Sequence, residues 1–227
     1  METERIRFSK WTDDDFSLAV QLWGKEDVTR YICASGKFTE QDIQKRLNFE
    51  ISNQKQFNVQ YWPIFGTPVD ELIGCCGLRP FKSEENSYEI GFHLRKKFWG
   101  QGYAFEAAAS VIKYGFTIIK ADKLFAGHHP QNMSSKKLLL RLGFKYIGDN
   151  FYEPTGLYHP SYEMCNCSGN ARWVTDGKFY TSSGVSAGMD MALEFIAERF
   201  GIDRTNEIAD GIEYNWNKDK NNDPFAR

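Results

Sequence analysis

The stretch SYEIGFHLRKKFWGQGYAFEAA, residues 87–108, decides the fold. Its first eight residues alternate strictly. Tyr88, Ile90, Phe92 and Leu94 share one face, and Ser87, Glu89, Gly91 and His93 share the other. A period of two marks a strand. Past Gly102 the period changes: Phe105, Ala108, Ala109, Ile112, Phe116 and Ile119 fall on one helical stripe. Between strand and helix stand two glycines and the basic residues Arg95, Lys96 and Lys97. A helix N-terminus leaves several N–H donors unpaired and carries a partial positive charge. Glycines ahead of it let an anion come close to the backbone, so the junction predicts a phosphate or pyrophosphate cradle. It is not a P-loop, because no G-x-x-x-x-G-K-[ST] occurs. It is not a dinucleotide fingerprint, because Phe105 stands where the third glycine would. Taken alone, Gly100-x-Gly102 fits a flexible strand-to-helix turn better than a binding loop.

Working outward, residues 4–11 read as a first strand. Thr12 with Asp15, and Thr39 with Asp42, make two capping boxes. Each predicts a helix, the first short and ended at Gly24, the second marked by Ile43, Leu47 and Ile51. Residues 57–65 and 71–79 predict a hairpin punctuated by Pro63, Gly66 and Pro68. After the central helix come a short strand, KLFAGHH, a helix over residues 132–142 closed by Gly143, and two strands near 145–150 and 157–164. The composition changes at CNCSGN, residues 165–170. Beyond it Asp176-Gly177 predicts a second hairpin, and TSSGVSAG opens an amphipathic helix.

The chain of 227 residues has a net charge of −2, which argues against nucleic acid or an anionic membrane as the main partner. No apolar run is long enough to span a bilayer, and METERIR has no signal-peptide pattern. Five cysteines (Cys33, Cys75, Cys76, Cys165 and Cys167) without an export signal predict reduced thiols in a cytoplasm. Cys165 and Cys167 are poorly spaced for zinc, and no second Cys/His pair accompanies them, so no metal is expected.

Lys97-x-x-Gly100-x-Gly102, following an alternating strand, resembles the acyl-CoA pyrophosphate loop of the GNAT family of N-acetyltransferases. A lysine stands where that family usually has Gln or Arg. Asn132-Met133-Ser134-Ser135 and Leu142-Gly143-Phe144 resemble the family's N-x-x-S and L-G-F segments. Glu89-Ile90-Gly91 resembles the RimJ/RimL-like branch, which acetylates ribosomal-protein N-termini and includes small-amine acetylators. The resemblance covers residues 4–165. It implies an α/β (α+β) GNAT acyl-CoA N-acyltransferase fold, with a mixed central sheet, flanking helices and a small C-terminal extension of a hairpin and helices.

The resemblance further implies acetyl transfer from acetyl-CoA to a primary amine, on a small molecule or a protein N-terminus. Gly100, Gln101, Gly102, Tyr103 and Ala104, with Lys97, would hold the pyrophosphate. The strand would part from its parallel neighbour, freeing backbone groups of Phe92, His93 and Leu94 for pantetheine and the thioester carbonyl. Asn132 and Ser135 would meet pantetheine, and Asn132 also fits a helix N-cap. Glu89 is the first choice of base, directly or through a water, level with a structural or substrate-orienting role. His129 is a second catalytic candidate, and it and His128 fit capping equally well. His93 reads as a packed histidine. The family's tyrosine acid falls at Leu139, leaving Tyr146 and Tyr158 as loose substitutes. An acyl-CoA sensor without turnover is the alternative.

Residues 171–226 resemble the C-terminal end of ThiJ/PfpI-type proteins, in T-S-S-G-V-S-A-G-M-D and D-P-F-A. No elbow cysteine precedes them, so a cysteine hydrolase is the weakest of the three functions. The expected organisation is an acetyltransferase domain over 1–165, a linker over 166–170 and this fragment over 171–227. The fragment's helix carries Val185, Met189, Ala192, Ile196 and Phe200 on one side. So short a segment cannot cover that surface alone. The expectation is a structural role, as the contact of a homodimer or docked on the first domain.

Overall fold

The structure, a computed structural model, describes residues 1–67, 69–82, 85–166, 173–176 and 179–220. It divides into two compact units, Met1–Cys165 and Asn166–Arg227.

The first unit is built on a seven-stranded sheet: β1 (Ile6–Phe8), β2 (Tyr61–Gly66), β3 (Glu71–Lys82), β4 (Ser87–Leu94), β5 (Lys123–Gly127), β6 (Lys145–Tyr152) and β7 (Leu157–Cys165). Their spatial order is β1-β2-β3-β4-β5-β7-β6. Every neighbouring pair is antiparallel except β4 and β5. A parallel pair needs a crossover, and α4 (Tyr103–Tyr114) supplies it. On one face α4 and α5 (Met133–Arg141) bury Ala107, Ala108, Val111 and Leu139 against Ile73, Leu78 and Ile90. On the other, α1 (Phe16–Trp23) and α3 (Glu40–Phe57) bury Leu22, Trp23, Ile43 and Leu47 against Tyr61, Leu72 and Cys75.

Both capping boxes form, and the Thr39 hydroxyl accepts the Asp42 N–H at 3.2 Å. A cap of this kind contributes about 1 kcal/mol. Three local readings differ from the structure. The helix α3 runs on to Phe57, into the predicted strand, and stops only where Asn58 turns left-handed at φ 56°. A four-residue helix, α2 (Glu26–Thr29), lies where none was predicted. The buried side of α4 centres on Ala107, Ala108 and Val111, rotated from the large apolar residues. Small side chains bring this helix close to the sheet. From Gly115 it widens into a π-helical turn, where an added Cβ would lie 3.2 Å from Leu78 and 3.4 Å from Leu124.

The feature that shapes a site is the parting of β4 and β5. They pair only at Ser87–Lys123, Tyr88–Leu124 and Glu89–Phe125. Beyond Glu89, β4 stays on β3 through Phe92–Cys76 and Leu94–Gly74. β5 stays on β7 through Ala126–Tyr162 and Gly127–Ser161. Each strand is held from its outer side, and a gap opens between them.

In the second unit β8 (Trp173–Asp176) and β9 (Phe179–Ser182) form an antiparallel pair beside α6 (Val185–Phe200) and α7 (Ile202–Gly211). The turn at Gly177 and the D-P-F-A motif lie outside the described residues. Ala187, Asp190 and Leu193 are the buried side of α6. Val185, Met189 and Phe200, on the stripe read from the sequence, are exposed.

Candidate active site

The loop ahead of α4 has the geometry of an anion cradle. Gly100 (φ +73°) and Gly102 (φ +85°) are left-handed, a region that favours glycine. A Cβ on Gly100 would meet nothing within 4 Å, and one on Gly102 only Arg5 Nη2 at 3.4 Å. Space over both backbones is therefore open, at the N-terminus of a twelve-residue helix. The loop is braced from outside. Arg5 donates to Glu106 at 2.7 Å and to the Gln101 carbonyl at 3.1 Å. The Gln101 side chain donates to the Lys97 carbonyl at 2.6 Å. Gly100, Gly102, Tyr103 and Ala104 line a cavity of ≈ 780 Å³. Lys97 and Gln101 are not in its lining. The Lys97 ammonium is held by Glu71, whose carboxyl is lowered chiefly by that bond.

The cavity continues into the gap between β4 and β5. The Arg95 N–H bonds to the Ile73 carbonyl, in the register that pairs His93 with Cys75 and Gly91 with Gly77. Antiparallel alternation then turns the backbone groups of Phe92 and Leu94 away from β3, towards the gap. Those of His93 turn to β3. The Leu94 carbonyl accepts from Trp99 Nε1 at 2.8 Å. The sequence could not separate these three neighbours, because register decides which of them is free.

Glu89 stands at the last rung before the strands part and lines the cavity. Burial raises its carboxyl above the usual range, opposed by Arg79, Arg46 and a hydrogen bond from Tyr61. Arg79 is its register partner on β3. Beneath them, fully buried Glu50 receives Arg46 Nε at 2.9 Å, an Arg79 Nη2 contact, and the Tyr61 N–H at 2.8 Å. The Tyr61 ring reaches across to Gly91, where an added Cβ would lie 2.3 Å from it. Sequence reasoning missed this group. Its visible traces were the i, i+4 spacing of Arg46 and Glu50 and a charged Arg79 ending an apolar strand run.

All four histidines of the chain line this cavity. Trp23 Nε1 donates to His93 Nδ1 at 3.1 Å, which leaves the ring proton on Nε2. Burial, with Arg46 and Arg79, holds His93 well below its ordinary value. His129 Nδ1 accepts the Gln131 N–H at 3.2 Å, and its ring stacks on Tyr31. Burial and His128 hold His129 low too. Buried His128 donates to the His129 carbonyl at 2.9 Å and meets the Tyr162 hydroxyl at 3.2 Å, a structural placement. His159, which sequence reasoning did not single out, bonds to Thr155 and is held at about 4 by burial and the neighbouring histidines.

Asn132 is the N-cap of α5, its Oδ1 accepting the Ser135 N–H at 3.2 Å, and both residues line the cavity. Leu139 is a core residue. Tyr146 donates to Asp149 at 2.8 Å; it and Tyr158 are exposed and absent from the cavity lining. Cys75 and Cys76 are fully buried, and burial pushes the Cys75 thiol up to about 12, so neither is a nucleophile. Among the described residues, no group of three or more His, Cys, Asp or Glu side chains could hold a metal ion. No helix among them is long and apolar enough to cross a membrane.

A two-glycine loop at a helix N-terminus, opening into a gap between parallel strands, offers an anion cradle continuous with free strand backbone. Residues 5–145 match the acetyltransferase (GNAT) domain, and the chain belongs to that family. It is 33% identical over 150 residues, 64% of this chain and 82% of the other, to the uncharacterized N-acetyltransferase p20 of Bacillus licheniformis. A GNAT acetyltransferase structure from Bacillus anthracis matches with a TM-score of 0.61 at 24% identity, covering 73% of this chain and 98% of that one. The RimL ribosomal L7/L12 α-N-protein acetyltransferase in complex with coenzyme A matches with a TM-score of 0.62 at 14% identity, over 72% and 95%. The protein is an N-acetyltransferase with acetyl-CoA as its acyl donor. Its open glycine backbones and parted strands fit that donor.

The low-lying histidines predict an acid-sensitive fold. Below the ordinary value of 6.5 an unfolded histidine binds a proton that native His159 refuses down to about 4. The unfolded chain then holds more protons, so stability falls as pH drops through that window. Denaturant midpoints recorded against pH should show this slope, and His159→Gln should flatten it. A slope identical in the variant would clear His159 of the effect.

Proposed function

We propose that this enzyme acetylates a primary amine, of a small molecule or a protein N-terminus, with Glu89 as the general base. It groups with the RimJ/RimL-like branch through Glu89-Ile90-Gly91. The observation that carries the reading is the position of Glu89 at the apex of the β4–β5 gap, raised by burial and open to the cavity. Acetyl-CoA supplies a thioester, an acyl carbon activated towards an amine. The backbone of Gly100 to Ala104 and the α4 N-terminus receive its pyrophosphate. Phe92 and the Leu94 N–H offer backbone groups along the gap, and Asn132 lines the same space. Glu89 takes the proton from the ammonium. His129, with its ring proton on Nε2, serves as a donor beside the acceptor rather than as a second base. Leu139 supplies no acid, so the thiolate leaves without a tyrosine proton.

Gly102→Val would place a branched side chain over the cradle in a strained left-handed conformation. Calorimetry should show CoA affinity lost in a variant that remains folded. Unchanged affinity would remove the cradle assignment.

Glu89→Gln should lower kcat by roughly a hundredfold or more with CoA affinity intact. The carboxyl must be ionised to accept the proton, so the wild-type rate should fall as pH drops through its raised range, and the variant should lose that limb. A near-normal rate, read by free-thiol release, would transfer the role to a water chain.

We assign residues 171–227, which resemble ThiJ/PfpI C-termini, no chemistry of their own. The exposed Val185, Met189 and Phe200 of α6 support a contact with a second copy of the chain. Truncation after Cys167 should turn a dimer into a monomer by light scattering while CoA still binds. A full-length chain that is monomeric at micromolar concentration defeats the dimer.

A further inference from the structure

The acceptor end of the cavity holds two guanidiniums most of whose donors the protein leaves unused. Arg46 and Arg79 both line it, and both send one nitrogen to the same oxygen, Glu50 Oε1. The other Glu50 oxygen is taken by the Tyr61 N–H. A guanidinium carries five donors. Two such groups thus face a cavity with two of their donors bonded to protein, and Arg79 Nε is buried without a partner. Both are largely out of water: 12% of the Arg46 side chain and 14% of that of Arg79 are exposed. The Tyr61 ring lies 3.9 Å from the Arg79 guanidinium and 5.4 Å from that of Arg46.

The second anion of the group is Glu89, the register partner of Arg79. Once Glu89 has taken a proton it is neutral. Two guanidiniums then share the single charge of Glu50. The remaining carboxylate in the lining, Asp27, is paired with Lys96 at 3.2 Å. His93, His129 and His159, held below their ordinary value, add no charge at neutral pH. The walls here are aromatic. Tyr31, Tyr61, Phe81, Phe125 and Tyr152 line the cavity, and Phe81 stacks on Phe125 at 4.0 Å. Tyr152 of β6 lines the same cavity, and burial and Glu89 raise its phenol.

We infer that the acceptor amine also carries a carboxylate, held by Arg46 and Arg79, on an apolar or aromatic body. This rests on the acetyl-transfer reading above. The bound carboxylate supplies the anion that the site lacks when Glu89 is protonated. The amine lies on the Glu89 side, and the body lies among the aromatic rings. A polyamine meets the opposite balance: one carboxylate to receive it and two guanidiniums to repel it. The chemical class is that of a free apolar or aromatic amino acid.

The experiment compares matched acceptors on the full-length enzyme at saturating acetyl-CoA, read by free-thiol release. Phenylalanine is set against phenylalaninamide, leucine against leucinamide, and spermidine is the polycation. The amides carry the less basic amine, so amine reactivity alone favours them. The expected result is kcat/KM at least roughly tenfold higher for the acid of a pair, and no turnover of spermidine. Arg46→Gln, which leaves Arg79 on Glu50, should raise KM for the acid roughly tenfold or more. It should move KM for the amide much less than KM for the acid and leave CoA affinity unchanged. Equal or better use of the amides overturns the proposal, as does failure of both members of every pair. In the second case, turnover of spermidine or of an N-terminal peptide leaves acetyl transfer standing. No turnover of any amine by protein that still binds CoA removes both. If Arg46→Gln does not fold, the wild-type pairs decide alone.

Discussion

The parting of β4 and β5 after Glu89 is the constraint on which the rest of the site depends. A continuous sheet would satisfy every backbone group of β4 from both sides and leave nothing for a ligand. Here each strand finds its partner on the outside, β4 on β3 and β5 on β7, and the inner side of Phe92 and the N–H of Leu94 are left open. Buried backbone groups are rarely left unpaired, so such a gap is a site in waiting. The helix α4, required to join two parallel strands, brings its N-terminus to the mouth of the same gap. One topological fact thus places free strand backbone and free helix N–H groups along a single path.

The second element is the buried cluster around Glu50. Isolated ions inside a protein cost several kcal/mol each, and pairing repays that only with good geometry. Glu50 accepts two arginines and a backbone N–H, and Tyr61 spreads over both guanidiniums. Glu89 shares this field without being bonded into Glu50. It is buried enough for its proton affinity to rise, and near enough to positive charge to remain ionisable. That balance suits the role of base proposed for it.

Much of this was legible in the sequence because it is local. Both capping boxes, the alternation of 87–94, the change of period at Gly102 and the closing Gly143 are short-range patterns, and each formed. Errors arose where local signals were equivocal. Residues 57–65 read as one strand, yet α3 runs to Phe57 and Asn58 caps it inside that run. The large residues of α4 drew the predicted stripe, yet its alanines take the close contact with the sheet.

The sequence by itself determined the main order of elements, the glycine loop and the strand on which Glu89 stands, because strand, helix and left-handed turn preferences act within a few residues. Tertiary structure alone decided what surrounds Glu89. Arg46 and Glu50 lie on α3, Arg79 on β3 and Tyr152 on β6, and only the register of the sheet and the packing of α3 bring them together. It also separated Lys97, turned out to Glu71, from the backbone of Gly100 and Gly102, which faces the cavity. The physical reason is range: backbone preference is set by near neighbours, whereas burial, and with it proton affinity, is set by whatever the folded chain lays on top.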